Sequence, residues 1–387
     1  MTIKEKDQAY IASTYNRFPV VLVRGKGSLV FDEDGKEYID MGSGIAVTSF
    51  GICDDIWQAA VSEQAGKLQH TSNLYYTEPC ALLAERLCKK TGMSRVFFSN
   101  SGAEANECAI KAARKYAAEK KGADYYTIVT LKNGFHGRTL TTLAATGQDH
   151  YHELYQPLTP GFVSIGTTDP AELAKVCAET KVAAVMIECI QGEGGVNDLS
   201  PAFVAGIADY TKTNDILLIV DEVQTGNGRT GQLYAYMNYG ITPDIVSTAK
   251  GLAGGLPLGA TLLGEKAANV FGFGDHGSTF GGNPVCCAAA NSIIDRIDDG
   301  LLAEVREKSA FLFDTFRNAD GIEAVSGMGL MVGLKTVKPA GEVVKTCMEN
   351  GVLCLTAKDK VRLLPALNIP TDILAKAASV IKAACAL

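Results

Sequence analysis

Two residues suggest the chemistry, Asp221 and Lys250. Asp221 closes the apolar run Ile216-Leu-Leu-Ile-Val220. Lys250 follows Pro243-Asp-Ile-Val-Ser-Thr-Ala249 and precedes Gly251-Leu-Ala-Gly-Gly255. If both runs are strands of one sheet, an acid and an amine face the same cleft. A lysine amine partly deprotonated by desolvation and neighbouring positive charge can form a Schiff base with a carbonyl. An aspartate can hold a pyridine nitrogen protonated so that the ring accepts electrons, and pyridoxal phosphate chemistry requires both groups. Taken singly, each also fits a plainer role, a helix-capping aspartate and a solvated lysine.

Three further strings bear on this. Ser99-Asn-Ser-Gly-Ala-Glu104 lies between a predicted strand and a predicted helix, so Ser101 and the N–H groups of Gly102 and Ala103 can meet an anion at the positive end of the helix. The same string is an ordinary N-cap, Ser101 followed three residues later by Glu104. Phe135-His-Gly-Arg138 offers a ring to stack on a flat heterocycle and a guanidinium to hold a carboxylate. Gly226-Asn-Gly-Arg-Thr-Gly231 fits the dinucleotide pattern, with Asp244 downstream. Against that, its strand ends five residues before the first glycine, and the segment with Tyr234, Tyr236, Asn238 and Tyr239 is a poor start for the required helix.

These strings need a scaffold. Residues 95–99, 126–131, 182–187, 216–220 and 245–247 read as strands, with helices over 104–120, 170–179 and 201–213. That alternation predicts βαβ units, a mostly parallel sheet, and ligands at its carboxyl edge. The ends differ. Short strands are expected at 20–23 and 29–31. Helices follow at 286–298 and 301–318, then strands near 330–334 and 361–364, and a last helix over 371–384. The expected organisation is an N-terminal segment, 1–50, packed with a smaller α+β domain, 285–387, beside a large α/β domain, 51–284.

Composition narrows the function classes. With 36 Lys+Arg against 43 Asp+Glu, a net charge of −7 and no basic run, nucleic acid is not an expected partner, whereas a small anion needs only one or two local cations. No apolar stretch approaches a membrane span, and the charged start is unlike a secretory signal, so a soluble cytoplasmic protein is expected. The 11 cysteines are odd in number with no C-x-x-C pair, which fits neither a disulfide framework nor a zinc site; no metal is expected. The 40 glycines cluster at separate loops rather than in linkers.

In order along the chain stand Asn100-Ser-Gly-Ala-Glu-Ala-Asn106, Phe135-His-Gly-Arg-Thr139, Gln191-Gly-Glu-Gly-Gly195, Asp221-Glu-Val-Gln-Thr-Gly226, Lys250 with its glycines, and His276-Gly-Ser-Thr-Phe-Gly-Gly-Asn-Pro284. From about residue 15 to 370 the chain resembles the class III (ω-amino) pyridoxal-phosphate aminotransferases of fold type I. The resemblance implies that Lys250 carries the cofactor, Asp221 partners the ring nitrogen, Gln224 bonds the ring hydroxyl and Phe135 stacks on the ring. Beside Phe135, His136 reads as a structural hydrogen-bonder. Ser101, Gly102 and Ala103 match the phosphate cup. Thr279 matches a residue that reaches the phosphate from the other subunit, implying a homodimer with active sites at the subunit interface, and Ser278 before it is expected to bind substrate. Arg138 matches the arginine for the α-carboxylate of the amine substrate, and Arg362 the one for glutamate or 2-oxoglutarate. Glu193 matches the carboxylate that masks Arg362.

The implied reaction takes the δ-amino group of N2-acetylornithine to the 2-oxo acid 2-oxoglutarate, giving N-acetylglutamate 5-semialdehyde and glutamate, a step of arginine biosynthesis. Tyr15 matches an aromatic of the substrate pocket. Gly44 stands where a bulkier residue would exclude an N-acyl group, although a turn would also explain it. The rivals are a sister ω-transaminase for ornithine, succinylornithine, 4-aminobutyrate or a lysine-pathway amine and, from another class, a nucleotide-dependent oxidoreductase using the Gly226 loop. Two departures from the family pattern are Cys189, where proline is usual, and Gly51-Ile-Cys-Asp-Asp55, in which Asp54 or Asp55 would still cap the next helix.

Overall fold

The computed structural model describes residues 1–386. Its centre is a seven-stranded sheet in the order Arg95–Ser99, Gly259–Leu263, Ile245–Thr248, Leu217–Asp221, Val182–Ile187, Thr127–Leu131, Phe162–Ile165. All its strands run parallel except Gly259–Leu263, which is antiparallel to both neighbours. The inner strands are buried along their whole length, as a sheet covered on both faces requires. The mostly parallel α/β sheet expected from the sequence is therefore present. The antiparallel strand and Phe162–Ile165 were not anticipated.

The helix Gly102–Lys121 crosses one face of the sheet on a seam of alanines, including Ala105, Ala109, Ala112 and Ala113, whose small side chains allow close approach. Thr261 of the antiparallel strand donates its hydroxyl to the Ala105 carbonyl at 2.7 Å. Asp54 caps the helix Asp55–Lys67 through the Trp57 N–H, so the altered Gly51–Asp55 turn keeps its cap.

A second sheet pairs Ile322–Met328, Met331–Thr336, Lys360–Leu363 and Leu355–Ala357, all antiparallel. The helices Asp299–Phe316, Ala340–Glu349 and Thr371–Cys385 accompany it. The helix expected over 286–298 runs Pro284–Ile294 instead, because Asp298 serves as N-cap of the next helix. A third sheet joins the two ends of the chain: Leu22–Lys26, Leu29–Asp32 and Glu37–Asp40 form a meander, to which Val352–Leu353 adds in parallel. Among the described residues no helix is long and apolar enough to cross a membrane, and no group of three or more His, Cys, Asp or Glu could hold a metal ion.

Candidate active site

The carboxyl edge of the large sheet opens into a cavity of about 490 Å³. Ser101, Gly102, Ala103, Phe135, His136, Arg138, Asp221, Gln224 and Lys250 all line it. Each comes from the end of a strand or the loop that follows, which is why residues so distant in sequence meet.

The helix Gly102–Lys121 begins at the cavity wall. Ser101 caps it by accepting the Glu104 N–H at 3.2 Å, and the N–H groups of Gly102 and Ala103 occupy the first turn, where no intrahelical partner exists. Val223 packs so close to Gly102 that a Cβ there would lie 2.6 Å from its methyl group. Glycine is therefore required for this wall, and the exposed amides with the helix dipole suit a phosphate.

Asp221 is buried and saturated with donors. Its Oδ2 accepts from Asn106 Nδ2 at 2.7 Å and meets His136 Nδ1 at 2.8 Å, while Oδ1 accepts the Val223 N–H at 3.0 Å. Burial acts to lower the His136 pKa, but the hydrogen bond and charge of Asp221 prevail and raise it. His136 Nε2 is buried without a partner. These contacts give His136 a structural place behind Asp221.

Lys250 follows the strand Ile245–Thr248 with φ +47°, a left-handed conformation that costs about 1–3 kcal/mol and must be imposed by its surroundings. Burial pushes its amine below the ordinary lysine value, Arg362 adds to that, and Glu193 and Asp221 act against it. Such an amine can serve as nucleophile and base. The donor set fits pyridoxal phosphate: free amides for the phosphate, a buried carboxylate for the ring nitrogen, an amine for the aldehyde.

Beyond the cavity wall, Arg362 NH1 donates to Glu193 Oε1 at 2.5 Å and to Gln224 Oε1 at 3.1 Å, and Gln224 Nε2 donates to Glu193 at 3.3 Å. Burial would raise the Glu193 pKa, yet Arg362 holds it below the usual carboxylate range. A Cβ on Gly192 would lie within 2.5 Å of the Gln224 amide, so any larger residue there would displace the Gln224 side chain from Arg362 and Glu193. The other arginine is different. Arg138 is exposed, lies 5.5 and 4.9 Å from the ring centres of Phe135 and Tyr151, and has no ion pair among the described residues. One arginine is masked and one is open.

Besides Glu193 and Arg362, four predicted residues lie outside the cavity wall: Tyr15, Thr279, Ser278 and Gly44. Tyr15 is 74% exposed, near Arg17. Thr279 is exposed, and its neighbour Ser278 is tied to Asn100 at the cavity edge by a bond from Asn100 Nδ2 at 3.1 Å. Gly44 has φ +63° in a run of left-handed residues, Ser43–Ala46, a conformation that favours glycine although Ser43, Ile45 and Ala46 share it. The Gly226–Gly231 loop is also absent from the wall, and a short 3₁₀ turn, Ala235–Tyr239, follows it in place of the helix a dinucleotide would need.

Glu188 is a site residue the motifs did not single out. It follows the strand Val182–Ile187 as Lys250 follows its own, and that strand-end position was the available signal. Its Oε1 accepts the Phe135 N–H at 2.7 Å, which ties the stacking ring's loop to the strand end. Burial pushes its carboxyl up to about 7, with His136 acting against it. Between its unfolded pKa of about 4.3 and about 7, the folded state holds the extra proton, so stability falls as pH rises through that window. Glu188→Gln keeps an acceptor for Phe135 without titrating. Its melting temperature relative to the unmodified protein should therefore rise from pH 5 to pH 7.5, which thermal denaturation at the two pH values checks.

A cavity with a buried amine and acid, an open arginine at its wall and a masked one beyond it suits a pyridoxal-phosphate transaminase. The aminotransferase class-III family matches residues 10–385, and the chain belongs to it. It is 47% identical over 381 residues to an acetylornithine aminotransferase of Haemophilus ducreyi, covering 98% of this chain and 97% of that one. A Methanocaldococcus jannaschii acetylornithine aminotransferase is 43% identical, covering 95% and 93%. Among solved structures, an ornithine aminotransferase from Toxoplasma gondii superposes with a TM-score of 0.95 at 32% identity, covering 99% and 94%. An N-acetylornithine aminotransferase from Stenotrophomonas maltophilia gives 0.85 at 36%, covering 98% and 97%.

Proposed function

We propose that this transaminase uses pyridoxal phosphate to carry the δ-amino group of N2-acetylornithine to 2-oxoglutarate, releasing N-acetylglutamate 5-semialdehyde and glutamate, as in arginine biosynthesis. The observation that carries this reading is the pair of arginines, Arg138 open and Arg362 masked by Glu193. The curated relatives named above support the acylated substrate.

When bound, pyridoxal phosphate supplies an electron sink for the charge left on the substrate carbon. The Gly102 and Ala103 amides hold its phosphate, Phe135 covers the ring and Gln224 bonds its hydroxyl. Asp221 keeps a proton on the ring nitrogen. Lys250 takes the proton from the substrate carbon and returns it in the second half of the cycle. Arg138 takes the α-carboxylate of acetylornithine, which leaves the δ-amine pointing at Lys250. An unmasked Arg362 would compete for that carboxylate and misplace the amine, and Glu193 prevents this. In the second half-reaction the dicarboxylate's own α-carboxylate displaces Glu193. The exposed Thr279, with the exposed apolar side chains of Leu74, Tyr75, Tyr76 and Phe280, supports a homodimer in which a second copy of the chain completes the phosphate site. Eleven free thiols support a reducing compartment such as the cytoplasm.

The test is single-turnover bleaching of the cofactor's visible band by a panel of amines. Acetylornithine should react fastest; ornithine or 4-aminobutyrate reacting far faster would overturn the substrate assignment. In Glu193→Ala, the rate with glutamate relative to acetylornithine should rise at least about tenfold, since a competing charge-assisted hydrogen bond is worth about 1.5–3 kcal/mol. An unchanged ratio would remove the masking role.

A further inference from the structure

The Gly226–Gly231 loop resembles a nucleotide fingerprint but lines no part of the cavity, and its contacts reach both halves of the chemistry. At one end Asn227 Nδ2 donates to Thr248 Oγ1 and to the Ala249 carbonyl, each at 3.1 Å, in the two residues before Lys250. At the other end Arg229 is fully buried, and its NH1 donates to the Leu330 carbonyl at 3.1 Å and to the Pro365 carbonyl. The Leu330 N–H returns a bond to the Arg229 carbonyl at 2.9 Å. Those contacts bracket Arg362. Pro365 lies three residues beyond it. Leu330 immediately precedes the strand Met331–Thr336, in which Gly333 pairs with Arg362.

Arg229 has no ion pair among the described residues, and burial alone pushes its guanidinium down to about 9. An uncompensated buried cation is costly, and an apolar side chain of similar volume would serve packing as well or better. Its geometric use is to bridge carbonyls from two segments of the second sheet's neighbourhood through the two N–H bonds of one rigid guanidinium nitrogen. The loop itself has little freedom: a Cβ on Gly226 would lie 2.8 Å from the Tyr234 ring, and a Cβ on Gly329 would lie 2.3 Å from the Arg229 carbonyl oxygen.

We infer that this loop is a positioning element that sets Arg362 in register with Lys250, with Asn227 and Arg229 as its two anchors. The inference rests on the reading that Arg362 binds the α-carboxylate of the dicarboxylate substrate. Arg229 therefore acts on the glutamate side of the cycle, and Asn227 acts on the proton carrier common to both sides.

The test uses cofactor-loaded protein with Arg229→Met, Arg229→Lys and Asn227→Ala. Glutarate affinity is measured by calorimetry, together with single-turnover rates for acetylornithine and glutamate. Arg229→Met should weaken glutarate binding and raise the KM for 2-oxoglutarate about tenfold or more, about 1.4 kcal/mol, while the acetylornithine rate changes by less than about twofold. Arg229→Lys, which keeps the charge and one carbonyl bond, should recover part of the affinity, and it decides the question should Arg229→Met fail to fold. Asn227→Ala should slow both half-reactions and leave glutarate affinity unchanged. Equal losses in both half-reactions with unchanged glutarate affinity in the Arg229 variants would overturn the inference. Failure of the unmodified protein to react with glutamate or bind glutarate would instead overturn the reading of Arg362.

Discussion

Replacing Lys250 with alanine should lower the transamination rate by at least about 10⁴-fold, the upper range for one positioned proton-transfer group, because on the proposed reading the same amine is also the nucleophile. Its backbone is held at φ +47°, at the start of the 3₁₀ turn Lys250–Leu252, so no neighbouring side chain can take its place by a small shift. The loss should be confined to function. The Lys250 side chain has no hydrogen bond or ion pair among the described residues, so its removal strands no buried partner. Without cofactor, the variant should melt no lower than the unmodified protein. Steady-state rates, the loss of the visible band of the loaded protein, and a melting curve together check this. A variant that keeps more than about one part in a hundred of the rate would place the proton carrier elsewhere.

Asp221→Asn should lower the rate by about 10²–10³-fold, the range found when one preorganised electrostatic group is lost from a dry site. The substitution preserves volume but changes two things. It removes the charge that, on the proposed reading, would keep a proton on the ring nitrogen of bound pyridoxal phosphate. It also places an amide where three donors converge, from Asn106, His136 and Val223. One of the new N–H bonds must then face a donor, at about 1–3 kcal/mol for an unsatisfied buried group. Cofactor affinity should fall as well. Rates measured at saturating pyridoxal phosphate separate the chemical loss from the binding loss, and a rate within tenfold of the original would make Asp221 a structural residue only.

Much of this site can be read from strand ends. Asp221 ends a long apolar run, Lys250 follows the short β-branched strand Ile245–Thr248, and a parallel sheet sends such ends to one edge. Glu188 has the same signature but was obscured by the glycine motif just downstream, and its burial is invisible until the Phe135 loop is seen folded over it. The Glu193–Arg362 pair was expected only through family likeness, because no local pattern relates residues so far apart. Gly259–Leu263 escaped because its five residues carry neither alternation nor turn signals of their own. They form a strand only because Arg95–Ser99 and Ile245–Thr248 leave a gap between them. Tyr15 and Thr279 lie outside the wall of the single chain, and the residue types alone could not distinguish that from a place within it.

The parallel pairing of Val352–Leu353 with Ile39 and Asp40 has a consequence for biosynthesis. On the ribosome the meander Leu22–Asp40 emerges early, but its outer edge has no partner until more than three hundred further residues have been made. At about 5–20 residues per second, that strand edge stays open for a time on the order of tens of seconds. An unpaired edge is a template for wrong pairing. The flanking Glu33, Asp34, Lys36 and Glu37 place charge beside that edge throughout the wait, so the nascent chain carries its own protection until its last quarter arrives to close the sheet.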